Sequence, residues 1–323
     1  MPTALILVSV LLQALADGFL SGRLGFGGSL QFSCIAFVTA TVACGALHAA
    51  RRTRTARRTA PRGPGTVRLM ALMNLATAVT FLGFYISLAW VPAALASSVQ
   101  SGVGPLAVIC TGLVRGEGRP GPGRVAAALG LLVLSGAIAL RLDGRAGALD
   151  GATLGGTALV ALSGVSAALL ARLSRQLGQA GAEPTWVMTH RFHLTYVCAG
   201  ALLLLGAGGT ASAGPPLPLM ALTALGAVAL PLLLLQFGLQ RAEPLSAMVL
   251  LSTLPGLVYL SQAVFGGTLD PVTCALIALL IAVAVLAARP DRPTAAPVDS
   301  GDPADRAETR SRQSASLTSS PPA

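Results

Sequence analysis

The sequence contains no lysine: all 22 of its basic residues are arginines. It has little charge of either sign, 11% in total, and few aromatics, 4%. A soluble domain carries charge on about a quarter of its residues, so this chain cannot clothe a water-facing surface in the usual way. "RRTRTARRTAPRG" at 51–63 has six arginines but no interleaved aromatic, which argues against a nucleic-acid partner. The five cysteines, Cys34, Cys44, Cys110, Cys198 and Cys274, stand singly without CxxC pairing and read as small packing residues, neither a disulfide framework nor a metal site. There is no GxSxG elbow or HExxH pair, and acids are almost missing from the apolar segments. No catalytic residue, cofactor or metal is expected, and the chain does not read as an enzyme.

What fills the sequence is apolar: 54% of residues, with a mean hydropathy of +0.73. A bilayer core about 30 Å thick needs roughly 20 apolar residues per helix. Ten segments qualify, at 4–21, 30–49, 67–90, 93–114, 123–141, 152–173, 186–206, 217–238, 245–265 and 271–288. Period-2 alternation is missing, so the backbone must satisfy its hydrogen bonds within helices. The expected fold class is an all-α polytopic membrane protein with ten transmembrane helices. No basic residue precedes the first segment, and a cleavage site there would fall beside a polar turn, so it reads as a span and not a secretion signal.

Arginine placement orients the chain. With the N-terminus inside, Arg51, Arg52, Arg54, Arg57, Arg58, Arg62, Arg68, Arg115, Arg119, Arg124, Arg172, Arg175, Arg191 and Arg241 fall on the inner side, and only Arg23, Arg141 and Arg145 outside. Both termini are therefore expected in the cytoplasm, with the chain in the cell membrane. The remaining five arginines lie in a tail at 289–323 with the Pro, Ser and charge content of a disordered segment.

Offset by 150 residues, the chain aligns with itself without a gap. "LASSVQSGVGPLAVICTGLVRG" at 95–116 meets "LSAMVLLSTLPGLVYLSQAVFG" at 245–266, pairing Pro105 with Pro255 and Gly116 with Gly266. Two repeats of five helices follow, 1–141 and 151–288. Because five is odd, the second must enter the membrane inverted, an architecture of secondary transporters with the site near the midplane. Pro105 and Pro255 should each break a mid-helix hydrogen bond, either freeing a carbonyl beside that site or only kinking the helix.

Residues 84–140, "FYISLAWVPAALASSVQSGVGPLAVICTGLVRGEGRPGPGRVAAALGLLVLSGAIAL", resemble the half-repeat of the drug/metabolite transporter superfamily, EamA-like branch. Pro105, Gly116, Glu117, Gly130 and Gly136 occupy its landmark places, and the second half repeats the pattern, so the likeness covers everything except the tail. It departs at Gly267, where the second Gly-Glu pair would have its acid, and in the early segments, which carry little of the usual entry sequence. The resemblance implies a ten-helix exporter of amino acids or other small metabolites, often driven by proton exchange. It also implies a cavity surrounded by helices 1, 3, 4, 6, 8 and 9, with 2, 5, 7 and 10 outside.

Asp17 is the only acid inside a predicted span, and Ser9, Gln13, Asp17 and Ser21 form one stripe on a helix by their four-residue spacing. An acid at mid-bilayer costs about 2.5–3.5 kcal/mol on insertion scales and normally faces protein or water. Asp17 is thus a candidate proton-coupling residue; alternatively it hydrates the outer helix end with Gly18 and Arg23. Asn74, Tyr85, Gln100, Tyr259 and Gln262 are the other candidates for lining a cavity, against a role in helix packing; the serines favour packing. Arg191 is expected to snorkel to the cytoplasmic headgroups beside Trp186, with His190 and His193 following it. The reading is an exporter of a small neutral or zwitterionic metabolite. Its rivals are a drug or nucleotide-sugar carrier, an importer, and a non-transporting scaffold. The substrate and the lipid bilayer are the expected partners, with protons as the coupling ion.

Overall fold

The computed structural model describes residues 2–20, 26–54, 64–143, 151–206 and 217–287. Ser21, Arg23, Arg57, Arg58, Arg62, Arg145 and the tail lie outside the described residues. Those described form helices joined by turns, with no strand among them. In order these are α1 (Pro2–Leu20), α2 (Phe26–Arg54), α3 (Pro64–Ser87), α4 (Ala93–Val114), α5 (Pro122–Asp143) and α6 (Gly151–Gln179). There follow α7 (Pro184–His190), α8 (His193–Leu204), α9 (Leu217–Ala224), a π turn (Leu225–Ala229), α10 (Leu230–Leu239), α11 (Pro244–Leu251), α12 (Leu254–Val264) and α13 (Pro271–Ala287). Seven helical stretches are long and apolar enough to cross a membrane, and 122–138 and 271–286 are shorter apolar helices.

Local chemistry accounts for many of the boundaries. Proline opens α3, α5, α7, α11 and α13, where its missing N–H is one the first turn would leave unpaired anyway. Gly116 and Gly266 close α4 and α12 with φ of 71° and 101°, a left-handed conformation cheap only for glycine. Both turns have the same bonds: Glu117 N donates to Gly112 O at 3.0 Å, and Gly267 N to Gln262 O at 2.9 Å.

The chain from α6 onward is interrupted where its earlier counterpart is not. The seventh predicted segment breaks at Arg191 and Phe192. Asn74 of α3 spans that break, donating from Nδ2 to His190 O at 2.6 Å and accepting from Leu194 N at 3.4 Å, so backbone groups exposed by the interruption stay paired. The eighth segment widens into the π turn, in which Leu230 N reaches back to Leu225 O. Pro231 comes next; its ring would crowd the carbonyl of Ala227 in a regular helix.

The two repeat prolines behave differently. Pro255 stands at the start of α12, just past the break at Ser252 and Thr253, as the sequence leads one to expect. Pro105 instead sits inside an unbroken α4. The carbonyl it leaves without an intrahelical donor, Ser101 O, lies 3.0 Å from Ser252 Oγ at the α11/α12 break, a hydroxyl whose one proton it shares with Met248 O at 2.9 Å.

Packing exchanges partners between the two parts: α1 lies against α10 and α12, while α6 lies against α3 and α4. Small residues permit the approach. A Cβ on Gly164 of α6 would come within 2.6 Å of Gln100 O on α4. Outside, Leu75, Val133, Leu140, Leu162, Leu204 and Leu222 are exposed, an apolar exterior that lipid tails would cover at no cost.

Candidate functional site

A cavity of about 50 Å³ lies where α1, α3, α4, the π turn, α10 and α12 meet. Its walls include Gln13 and Asp17 of α1, Phe81, Phe84 and Tyr85 of α3, and Gln100 of α4; Ala227, Val228, Leu232 and Leu254 close the opposite side. Of the nine residues the sequence singles out, four therefore converge: Gln13, Asp17, Tyr85 and Gln100. The Asp17 carboxylate has no hydrogen bond or ion pair among the described residues, and Asp17 is one of the residues that line this space.

Two serines fix the direction of the amides. Ser9 Oγ donates to Pro231 O at 2.6 Å, so it must accept from Gln13 Nε2, 2.8 Å away. Ser163 Oγ likewise donates to Thr80 O at 2.6 Å and accepts from Gln100 Nε2 at 2.7 Å. A hydroxyl has one proton to give, and each gives it to a backbone carbonyl. Gln13 thus spends its amide N–H groups on Ser9, and Gln100 spends one of its two on Ser163. The two amide oxygens and the Asp17 carboxylate outnumber the donors left among the lining residues, one Gln100 N–H and the Tyr85 hydroxyl, a site that suits an ammonium group, a hydroxyl or a proton.

The other predicted residues lie elsewhere. Asn74 bridges the α7/α8 break. Tyr259 ties α12 to α13: its Oη accepts Asp270 N at 2.8 Å and donates to Thr268 O at 3.5 Å. Gln262 stands at the Gly266 turn, where its carbonyl accepts Gly267 N. Neither Pro105 nor Pro255 is a wall residue of the cavity. Tyr259→Phe should accordingly lower thermal stability by about 1–2 kcal/mol, the cost of a part-buried N–H left unpaired, without changing the affinity of any compound the cavity binds. A changed KM at unaltered melting temperature would return Tyr259 to the site.

The expectation for Arg191 is overturned. Its side chain is 1% exposed and turns into the bundle, where Nη1 donates to Gln236 Oε1 at 2.7 Å and the guanidinium lies 5.1 Å from the Phe192 ring. Arg191 occupies the α7/α8 break, so it does not follow the surface-seeking course that a continuous helix would give it. Reasoning from the sequence also missed Val228, Leu232 and Leu254. The signal was Pro231 in the middle of an apolar segment, which marks the irregular turn that brings Ala227 and Val228 to the cavity.

A second, more open cavity of about 310 Å³ lies beside α6 and the turns after α4 and α10. Arg172 Nη1 donates to both Glu117 oxygens at 2.7 and 2.6 Å, and its Nη2 to Val108 O at 2.6 Å. Arg124 pairs with Glu243 at 2.7 Å. These pairs connect α6 to the α4–α5 turn and α5 to the α10–α11 turn.

No protein-family model matches the chain, and no curated protein does. Solved structures do match. One crystal structure of a protein aligns over 89% of this chain and 98% of its own, with a TM-score of 0.63 and 23% identity. At that identity the likeness shows a shared fold and nothing about activity.

Proposed function

We propose that the chain is a secondary carrier of the EamA-like type, an exporter that exchanges protons for a small neutral or zwitterionic metabolite. In this reading ten spans form two five-helix repeats, 1–141 and 151–288, inserted in opposite senses in the cell membrane with both termini in the cytoplasm. The matching turns at Gly116 and Gly266 and the exchanged packing of α1 and α6 support the repeat. The cavity's walls come from spans 1, 3, 4, 8 and 9, with span 6 behind them through Ser163, and none comes from 2, 5, 7 or 10.

The observation that carries the reading is the Asp17 carboxylate, unpartnered among the described residues and lining a cavity with two glutamine amides. A proton and a substrate donor compete there for the same acceptor, and competition for one site is what makes exchange obligatory. At about 50 Å³ the cavity holds a few waters and falls well short of the roughly 300 Å³ of a small-molecule site. A substrate of that class requires the cavity to widen on loading.

Proteoliposomes loaded with a panel of labelled amino acids and related metabolites test this. Efflux of at least one compound should accelerate when the opposite compartment is made acidic. Efflux at the rate of empty liposomes for every compound would favour the scaffold.

A further inference from the structure

Among the buried groups that the cavity does not use, one cation stands out. Arg191 is 1% exposed and Gln236 is wholly buried, and neither meets an acid. A guanidinium carries five N–H donors. In the protein this one has Gln236 Oε1 at 2.7 Å and the weak acceptor Met188 Sδ at 3.9 Å. Its Nε has no partner. The Gln236 amide is oriented by its neighbours: arginine can only donate, so the atom facing it is the oxygen, which also accepts Ser174 Oγ at 3.3 Å. That leaves Gln236 Nε2 without a partner.

Every unsatisfied group in this cluster is thus a donor, and the charge it surrounds is positive. A buried cation without an anion costs several kcal/mol, and buried donors without acceptors add to that. What is missing is an acceptor with negative charge.

The cluster adjoins the acceptor-rich cavity. Gln236 lies one helical turn beyond Leu232, a wall residue. Phe192, beneath the guanidinium, is 6.5 Å from Phe81, another wall residue, and 5.1 Å from Phe37.

We infer that Arg191 and Gln236 bind the carboxylate of the transported compound, a site separate from Asp17, where an ammonium group would be read. This rests on the carrier reading for the word transported; the anion site itself does not.

The test is binding to the purified full chain in detergent, read as thermal stabilisation at constant ionic strength. The probes are 4-methylpentanoate, its uncharged isostere 4-methylpentanamide, L-leucine and L-leucinamide. For wild type, 4-methylpentanoate should half-saturate at a concentration about tenfold or more below that of the amide. Arg191→Gln should erase the difference, Arg191→Lys should keep part of it, and Asp17→Asn should leave it intact while weakening leucinamide. Equal responses to acid and amide in wild type, or no response to either, would overturn the proposal even if Arg191→Gln does not fold. Carboxylate binding with flat efflux of every compound would retain the anion site and remove the carrier. Proton-driven efflux without carboxylate discrimination would do the reverse.

Discussion

Asp17→Asn removes the response of efflux to a pH gradient, bringing the ratio of rates with and without the gradient to about one. Asparagine keeps the volume and the acceptor oxygen but has no exchangeable proton at working pH. If the carboxylate is where proton and substrate compete, the variant still binds and equilibrates substrate, so counterflow persists while gradient-driven efflux does not. Stability supplies an independent check. Asp17 makes no hydrogen bond or ion pair among the described residues, and an acid in a span costs about 2.5–3.5 kcal/mol on insertion scales against less for its amide. The variant should therefore melt no lower than wild type. Gradient-driven efflux equal to wild type would remove Asp17 from coupling, and a large fall in melting temperature would show that its carboxylate has a structural partner.

Gly164→Val is expected to cost about 3 kcal/mol or more and to leave little monodisperse protein on size exclusion. A side chain at 164 meets the Gln100 carbonyl at 2.6 Å and the Gln100 Cα at 3.2 Å, which belong to the backbone of α4 and cannot rotate aside. α6 must back away from α4, and with it goes Ser163, whose hydroxyl orients the Gln100 amide. Overpacking of this kind usually costs 1–3 kcal/mol; here rigid backbone lies on one side and a cavity residue's support on the other. Gly155→Ala on the same helix is the control, because a Cβ there has nothing within 4 Å. A Gly164→Val protein as stable as the control would mean that α4 and α6 pack less closely than described.

Most of the helical layout is legible from composition and punctuation. Each apolar segment of the sequence overlies one helix or an interrupted set, and proline and glycine mark many of the ends, because both act through their own backbone. The break at Pro255 is legible for the same reason. The break at Arg191 is not: no proline or glycine stands there, and what makes it tolerable is Asn74, 116 residues away in sequence from the carbonyl it caps. The site divides along the same line. Gln13 and Asp17 share a stripe because four-residue spacing is geometry within one helix. Asn74 and Tyr259 carry an identical signature, a polar residue in an oily span, yet they serve turns formed by other segments. Only the partner distinguishes a cavity wall from a brace, and the partner is a property of the fold. Arg191 misleads for a related reason, since a lone arginine near a helix end ordinarily finds water and here the chain turns it toward an amide.

The interruptions at 191–192, 225–229 and 252–253 all fall in the later part of the chain, while α2, α3 and α4 run without a break. A continuous helix behaves as a rod; one with a missing or widened turn can flex there at small cost. The earlier five helices are thus a stiff frame and the later ones carry the joints, so any bending of the bundle falls on the later part of the chain.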